Sequence, residues 1–338
     1  MASKNLLSRR ALVGAFAAGA LAAPLPVRPA SAQSRSINAV SLSANTNRVF
    51  DELLAGQKLF EEFGVAPQTV AVADGTKVIA SLVSNSSDVC MQLGFASVIP
   101  AIQAGAKIKV IAGAGIRPEL AVYSAKPEIQ SVADLVGRTV AVGPLGAHLH
   151  MLMVTLMRKK GVDYTRVQFV NVGGAADAFR AAAAGRVDAA PGELAFYGNP
   201  EKYGVHALKD GATWLEVPEY LNQVAIATEA AIEKQGDAIV RMLAAYRKLY
   251  QFLNSPKSQE AWLRAVQKVL NTASEEEAAT QWNHYQKYKQ WAEDLVVPED
   301  RVRYLQDLNI LLGTQKAPLD FDKIVDFGPA RRALALTA

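Results

Sequence analysis

Three places in the sequence combine residue types that can do chemistry. "GPLGAHLH" (143–150) puts two histidines just after a glycine-bracketed turn, Glu193 sits in "AAPGELAFYG" after a strand-like run, and Cys90, the single cysteine, lies in "DVCMQLG". Spacing tests each of them. A phosphate loop needs Gly-x-x-x-x-Gly-Lys-Ser/Thr, and 143–150 has neither the lysine nor the hydroxyl; a dinucleotide fingerprint needs Gly-x-Gly-x-x-Gly, which is also missing there. His148 and His150 are two apart on a helix expected from about residue 147 to 160, so they project about 200° from one another and cannot share an ion. His206 and His284 stand alone, and no metal or other cofactor is expected. Cys90 falls inside a strand pattern, where a thiol is a packing group, and no Gly-x-Ser-x-Gly elbow is present. Two groups stay open. His148, near the helix start, faces either a ligand or the interior. Glu193 is either an ordinary first-turn residue or a pocket acceptor that selects a donor-bearing ligand.

The elements that must position these residues alternate strand and helix from residue 37 onward, which argues α/β with mostly parallel sheets. Strands are expected at 37–43, 69–74, 88–94, 107–113, 139–142, 167–172, 186–190 and 222–230, with an extended "LAVYS" at 120–124. "SVADLVG" reads as a short helix with a capping box, Ser131 to Asp134. After Glu229 the pattern is helical, over about 231–253, 257–270, 274–292 and 298–312. Trp282, Tyr285, Tyr288 and Trp291 recur every three residues there, as a packing stripe along one helix. The parse gives two lobes, 36–117 with 226–338 and 118–225, the chain crossing between them near Ala114–Ser124 and Val217–Thr228.

In such sheets ligands gather at the carboxyl ends of strands, where small-residue loops lead into helix N-termini. Five loops share that grammar: Asn45-Thr46, Gly75-Thr76, Phe95-Ala96-Ser97, Gly146-Ala147-His148 and Gly173-Gly174. The expected ligand contacts are Asn45, Thr46, Thr76, Phe95 and Ser97 from the first lobe, and Gly146, Ala147, His148, Gly174 and Glu193 from the second. Phe196 and Tyr197 are further candidates for the cleft wall.

The N-terminus bears on compartment. Residues 1–32 have a basic start, an apolar run from Ala11 to Ala23 and a small-residue site, Ala30-Ser31-Ala32, which is the plan of a secretory signal. Arg9-Arg10 resembles a twin-arginine export signal. The segment holds four basic residues and no acid, which accounts for the whole net charge of +4. The remainder is neutral and gives no support to nucleic-acid binding.

"SVADLVGRTVAVGPLGAH" followed by "AADAFRAAAAGRVDAAPGE" resembles the second lobe of type II periplasmic solute-binding proteins of ABC importers, in the aliphatic-sulfonate, taurine and thiamine-pyrimidine-precursor group. Asp134-Leu135, Gly137, Val140-Ala141-Val142, Gly146-Ala147-His148 and Gly185-x-Val187-Asp188-Ala189 carry the match, and "SLVSNSSDVCMQLGFASVIPAIQAGAKIKVIAG" is similar to the first lobe of that group. The resemblance implies a two-lobe fold with mixed, mainly parallel sheets, flanking helices and a helical C-terminal region. It implies a monomeric periplasmic receptor that binds a small polar organic molecule and delivers it to an inner-membrane ABC permease. The same fold is similar to that of a desulfinase and a pyrimidine synthase, and a ligand-sensing subunit is a third reading. The chain departs from the group at "VCMQLGFAS", where many relatives carry an aspartate, and at Glu193, which leaves room for a heterocyclic or amine-bearing solute.

Overall fold

A computed structural model describes residues 34–338 apart from residue 272, so the export signal expected at 1–32 lies outside the described residues. The chain begins β1 (Arg35–Leu42), α1 (Asn45–Gly56), α2 (Leu59–Glu62), β2 (Val65–Val72), α3 (Gly75–Val83), β3 (Val89–Gly94), α4 (Val98–Gln103) and β4 (Ile108–Gly113). It continues with β5 (Leu120–Ser124), β6 (Thr139–Val142), α5 (His148–Lys159), β7 (Gln168–Asn171), α6 (Ala175–Ala183), β8 (Ala190–Glu193), β9 (His206–Ala212), α7 (Thr213–Glu216) and β10 (Gln223–Thr228). Helices follow: α8 (Glu229–Lys234), α9 (Gly236–Leu253), α10 (Gln259–Val269), α11 (Glu275–Tyr288), α12 (Glu299–Leu311), α13 (Phe321–Ile324) and α14 (Gly328–Leu336).

The strands sort into a five-stranded sheet, β2-β1-β3-β10-β4, and a second group made of β8-β5-β9 and β6-β7. Strands joined by helical crossovers pair in parallel, as β1 with β2 and β3 and as β6 with β7. β10 arrives from the second group and lies antiparallel between β3 and β4; β5 is antiparallel to β8 and β9. The segments leading out of β4 and into β10 are bonded to each other, Ala114 N–H to the Gln223 carbonyl (3.1 Å) and Gln223 N–H to the Gly115 carbonyl (2.9 Å).

Aromatic packing fills one face of the five-stranded sheet, with Phe50 edge-on to Trp291 at 4.7 Å and to Trp262 at 6.4 Å. The other face holds Val40, Val78, Leu93, Phe95 and Ile226, together with Met151 and Leu152 of α5. The next residues of α5, Met153, Leu156 and Met157, pack instead with Val122 and Val142 of the second group. All seven residues 151–157 are buried, which a helix achieves only when apolar surface covers it on every side. One helix therefore belongs to both cores.

Three local readings change. The strand expected at 186–190 begins four residues later, at Ala190: residues 186–189 turn so that the Asp188 carboxylate accepts from Thr139 N–H (2.6 Å) and Thr139 Oγ1 (2.7 Å). Pro191 is tolerated in β8 because that strand is at a sheet edge. The aromatic stripe loses its last member, since α11 ends at Tyr288, Lys289 is left-handed (φ 46°), and Trp291 bridges to Gly115 off the helix. Strand β9, "HALKDGA", gave no β-branched run to announce it. The capping box from Ser131 to Asp134 is formed.

Where α5 meets the first sheet there is no room to spare. A Cβ on Gly94, the last residue of β3, would lie 2.6 Å from both Cβ and Cγ of His148. Gly94→Ala is therefore expected to cost about 1–3 kcal/mol by overpacking, measured by urea unfolding. Adding His148→Ala is expected to return most of the loss. An unchanged midpoint in the single variant would show that the contact yields freely.

Candidate functional site

The loops after β1, β2, β3, β6, β7 and β8 open on one cleft of about 360 Å3. That size suits a small organic molecule. Four helices point their N-termini at it: α1, α3, α5 and α6 each place their opening residues in its wall. Three of these have small capping residues, Ala44 before α1, Ala147 before α5 and Gly174 before α6, none of which caps its helix with a side chain. α3 is different, because Asp74 accepts from Lys77 N–H at 3.0 Å and closes its own helix.

Of the residues expected from sequence, Asn45, Thr46, Ser97, Ala147, His148, Gly174 and Glu193 line the cleft. Three do not. Thr76 is exposed on the outer side of α3, whose cleft end is formed by Asp74 and Gly75. Phe95 is fully buried in the core below, because the tight turn Phe95–Ser97 directs its ring inward. Gly146 has φ +80° and faces the chain behind the loop, where a Cβ would meet Thr314 Cγ2 at 2.8 Å. Phe196 stacks on Phe179 (centroids 4.0 Å) and Tyr197 packs edge-on to Trp214 (5.0 Å), so neither ring reaches the cleft wall.

Sequence reasoning missed Asp74, Glu119, Asp177, Arg180, Asn222 and Gln223, which also line the cleft. Glu119 and Asn222 sit on the two segments that join the sheets, and Gln223 is the first residue of β10 beyond the second of them. The available signal was their place at the crossings, which must pass the floor of any cleft between two sheets.

The polar groups are unusual in kind. Glu193, at the end of β8, is 8% exposed, and its Oε2 accepts from Asn45 Nδ2 at 3.2 Å. Burial pushes its carboxyl upward, opposed by hydrogen bonds from the Asn45 side chain and backbone. Burial, helped by the nearby Glu193 charge, pushes Glu119 up to about 8, while Tyr285 Oη donates to it at 3.3 Å and pulls the other way. Glu119 is partly exposed and lines the cleft, and the raised pKa keeps its proton on at neutral pH. Burial takes His148 down to about 4, against a hydrogen bond with Asn222, so the imidazole is neutral; its ring sits 5.6 Å from Tyr220. His150 points elsewhere, accepting Gly146 N–H at 3.0 Å and resting edge-on against Phe169. One buried acceptor, Gln223 Oε1, has no partner. Among the described residues no group of three or more His, Cys, Asp or Glu is placed to hold a metal ion.

Residues 53–259 match the sequence model of the NMT1/THI5-like family. No curated protein matches the sequence. Among solved structures, the periplasmic aliphatic sulphonate binding protein SsuA of Escherichia coli superposes with TM-score 0.64 at 21% identity, over 86% of this chain and 92% of that one. The periplasmic nitrate-binding protein NrtA of Synechocystis PCC 6803 gives 0.70 at 11% identity, over 90% and 89%. A DSZB mutant in complex with biphenyl-2-sulfinic acid gives 0.61 at 12%, over 88% and 99%. These likenesses show the fold, that of type II periplasmic binding proteins.

The Glu119 carboxyl gives stability a pH dependence of known sign. Its folded-state pKa stands above the ordinary 4.5, so its contribution is complete below about 4.5 and is lost as pH rises through about 8. Wild-type Tm minus that of Glu119→Gln is expected to fall steadily over this window. The subtraction separates Glu119 from Glu193 and Asp51, which burial also shifts upward. A flat difference would show that Glu119 is ionised throughout.

Proposed function

The chain belongs to the NMT1/THI5-like family, and on that premise we propose that it is an extracytoplasmic solute receptor: it binds a small polar organic molecule between two lobes, 36–117 with 226–338 and 118–225, and delivers it to an ABC permease. The observation that carries the reading is the cleft itself, walled by loops from both sheet groups and faced by four helix N-termini. The proposed contacts are Asn45, Thr46, Ser97, Ala147, His148, Gly174 and Glu193, joined by Glu119, Asn222 and Gln223. The ligand bridges the two sides, and its contacts to the second lobe supply the free energy that favours closure. Proteins of this fold named for sulphonate and nitrate binding are periplasmic, which supports export, as does the N-terminal pattern. No described helix is long and apolar enough to cross a membrane.

The DSZB likeness raises catalysis as the rival. Against it, Cys90 is buried in β3, and burial raises its thiol to about 12, opposed only by a backbone hydrogen bond from Gln92. His148 is packed against Gly94 and Tyr220 instead of being poised beside a nucleophile.

Native mass spectrometry on protein drawn gently from the cell envelope tests the reading. The expected result is a discrete small molecule, one per chain, released intact on denaturation. Recovery of a chemically altered product, or turnover of the intact compound, would move the protein to the enzymes of this fold.

A further inference from the structure

Helix α11 is built into the first side of the molecule and faces the second. Its Ala278 carbonyl accepts from Trp262 Nε1 at 2.8 Å, Trp282 Nε1 donates to Ser258 Oγ at 2.9 Å, and Gln286 Nε2 donates to the Leu253 carbonyl at 2.7 Å. Ala278 and Tyr285 share the core of Phe50 and Trp262. A separate stripe of the helix, Glu277, Thr280, His284 and Tyr288, spaced by three and four residues, meets the second sheet group. Thr280 leaves no room for a Cβ on Gly198, His284 lies edge-on to Trp214 at 5.1 Å, and Tyr288 packs on the cluster of Tyr123 and Phe179.

The strongest contact of the stripe is at Glu277, which is 1% exposed. Its Oε1 accepts from Tyr203 Oη at 2.7 Å and from Lys202 Nζ at 3.1 Å, both in the turn Pro200–Tyr203 of the second group. Its Oε2 takes the Ser274 N–H at 2.7 Å, within its own capping box. Burial pushes this carboxyl up, but the bonds from Tyr203, Ser274 and Lys202 outweigh burial and hold it below the ordinary range. The cluster stands away from the crossing segments. Tyr285, which donates to Glu119 there, is eight residues further along α11, about 12 Å at the helical rise. Glu277 and Tyr203 instead line an outer groove that meets the cleft at Asn45, Asp177 and Arg180.

Parting the two sides at this point is unequal in cost. Lys202, its side chain 37% exposed, turns back to water, whereas Glu277 keeps only the Ser274 cap for a buried charge. We propose that Glu277, Lys202 and Tyr203 form a latch between the lobes. It is made in the closed arrangement, parts when the second lobe swings away, and sets the fraction of empty protein that is closed. The latch rests on the two-lobe motion of the receptor reading and on no property of the ligand.

Spin labels at Val83→Cys and Ala184→Cys, one on each lobe, read the angle by double electron–electron resonance in protein stripped of any bound molecule by refolding. Lys202→Met removes the cation and leaves Glu277 its cap. It is expected to raise the ratio of long to short separations about fivefold, with Tyr203→Phe giving a smaller rise in the same direction. If Lys202→Met fails to fold, Tyr203→Phe, which deletes one hydroxyl, decides. A distribution unchanged in the variants, even with a lower Tm, would make the cluster a fixed strut and overturn the latch, as would a shift toward short separations. None of these results touches whether a small molecule co-purifies, so the receptor reading is judged separately by its mass.

Discussion

A buried carboxyl, Glu193, ties the two sides of this cleft together. Glu193 belongs to the second sheet group, yet Asn45, whose side-chain amide it accepts, opens a helix of the first, and that helix has no side-chain cap from its own capping residue Ala44. A hydrogen bond to a charged group in a dehydrated setting is stronger than its counterpart in water, and the same dehydration makes an unpaired carboxylate costly. The two effects act together here: separating the sheet groups at this point would leave the Glu193 carboxyl without the Asn45 side-chain amide. Glu119 is kept neutral first by its own burial, and the neighbouring Glu193 charge adds to the effect.

Movement around that contact is limited by what the chain threads through. The segments between the sheets bond to each other at Ala114, Gly115 and Gln223, so a hinge there bends as a pair of strands. Helix α5 adds a second restraint, since Met151 and Leu152 sit in one core while Met153 and Leu156 sit in the other. Gly94 lets its first residue, His148, come against the end of β3. In the receptor reading proposed above, closure is a small rotation about this paired waist.

Much of this was legible from residue pattern. Strand–helix alternation gave the α/β architecture, and small residues before each helix marked the loops that reach the cleft. Within those loops the pattern could not say which side chain turns inward. Phe95 and Ser97 lie in the same short turn, yet one is in the core and the other in the wall. Thr76 lost its place to Asp74 because an aspartate one residue before the helix makes the better cap. Glu119, Asn222 and Gln223 escaped notice for a different reason: they lie before a strand or at its start and not in a loop leading from a strand into a helix, and their meeting depends on how two distant segments pair. Glu193 stood out in sequence as an isolated acid, but its partner Asn45, 148 residues away, needed the fold.

The account turns on a ligand drawing the two sheet groups together. Because Cys90 is buried, spin labels can be placed cleanly at Val83→Cys, on the exposed end of α3, and Ala184→Cys, just past α6. Double electron–electron resonance would compare protein carrying its co-purified molecule with protein stripped of it by unfolding and refolding. The account predicts a single short separation in the loaded protein and a longer, broader distribution in the stripped one. Identical distributions in the two states would contradict it.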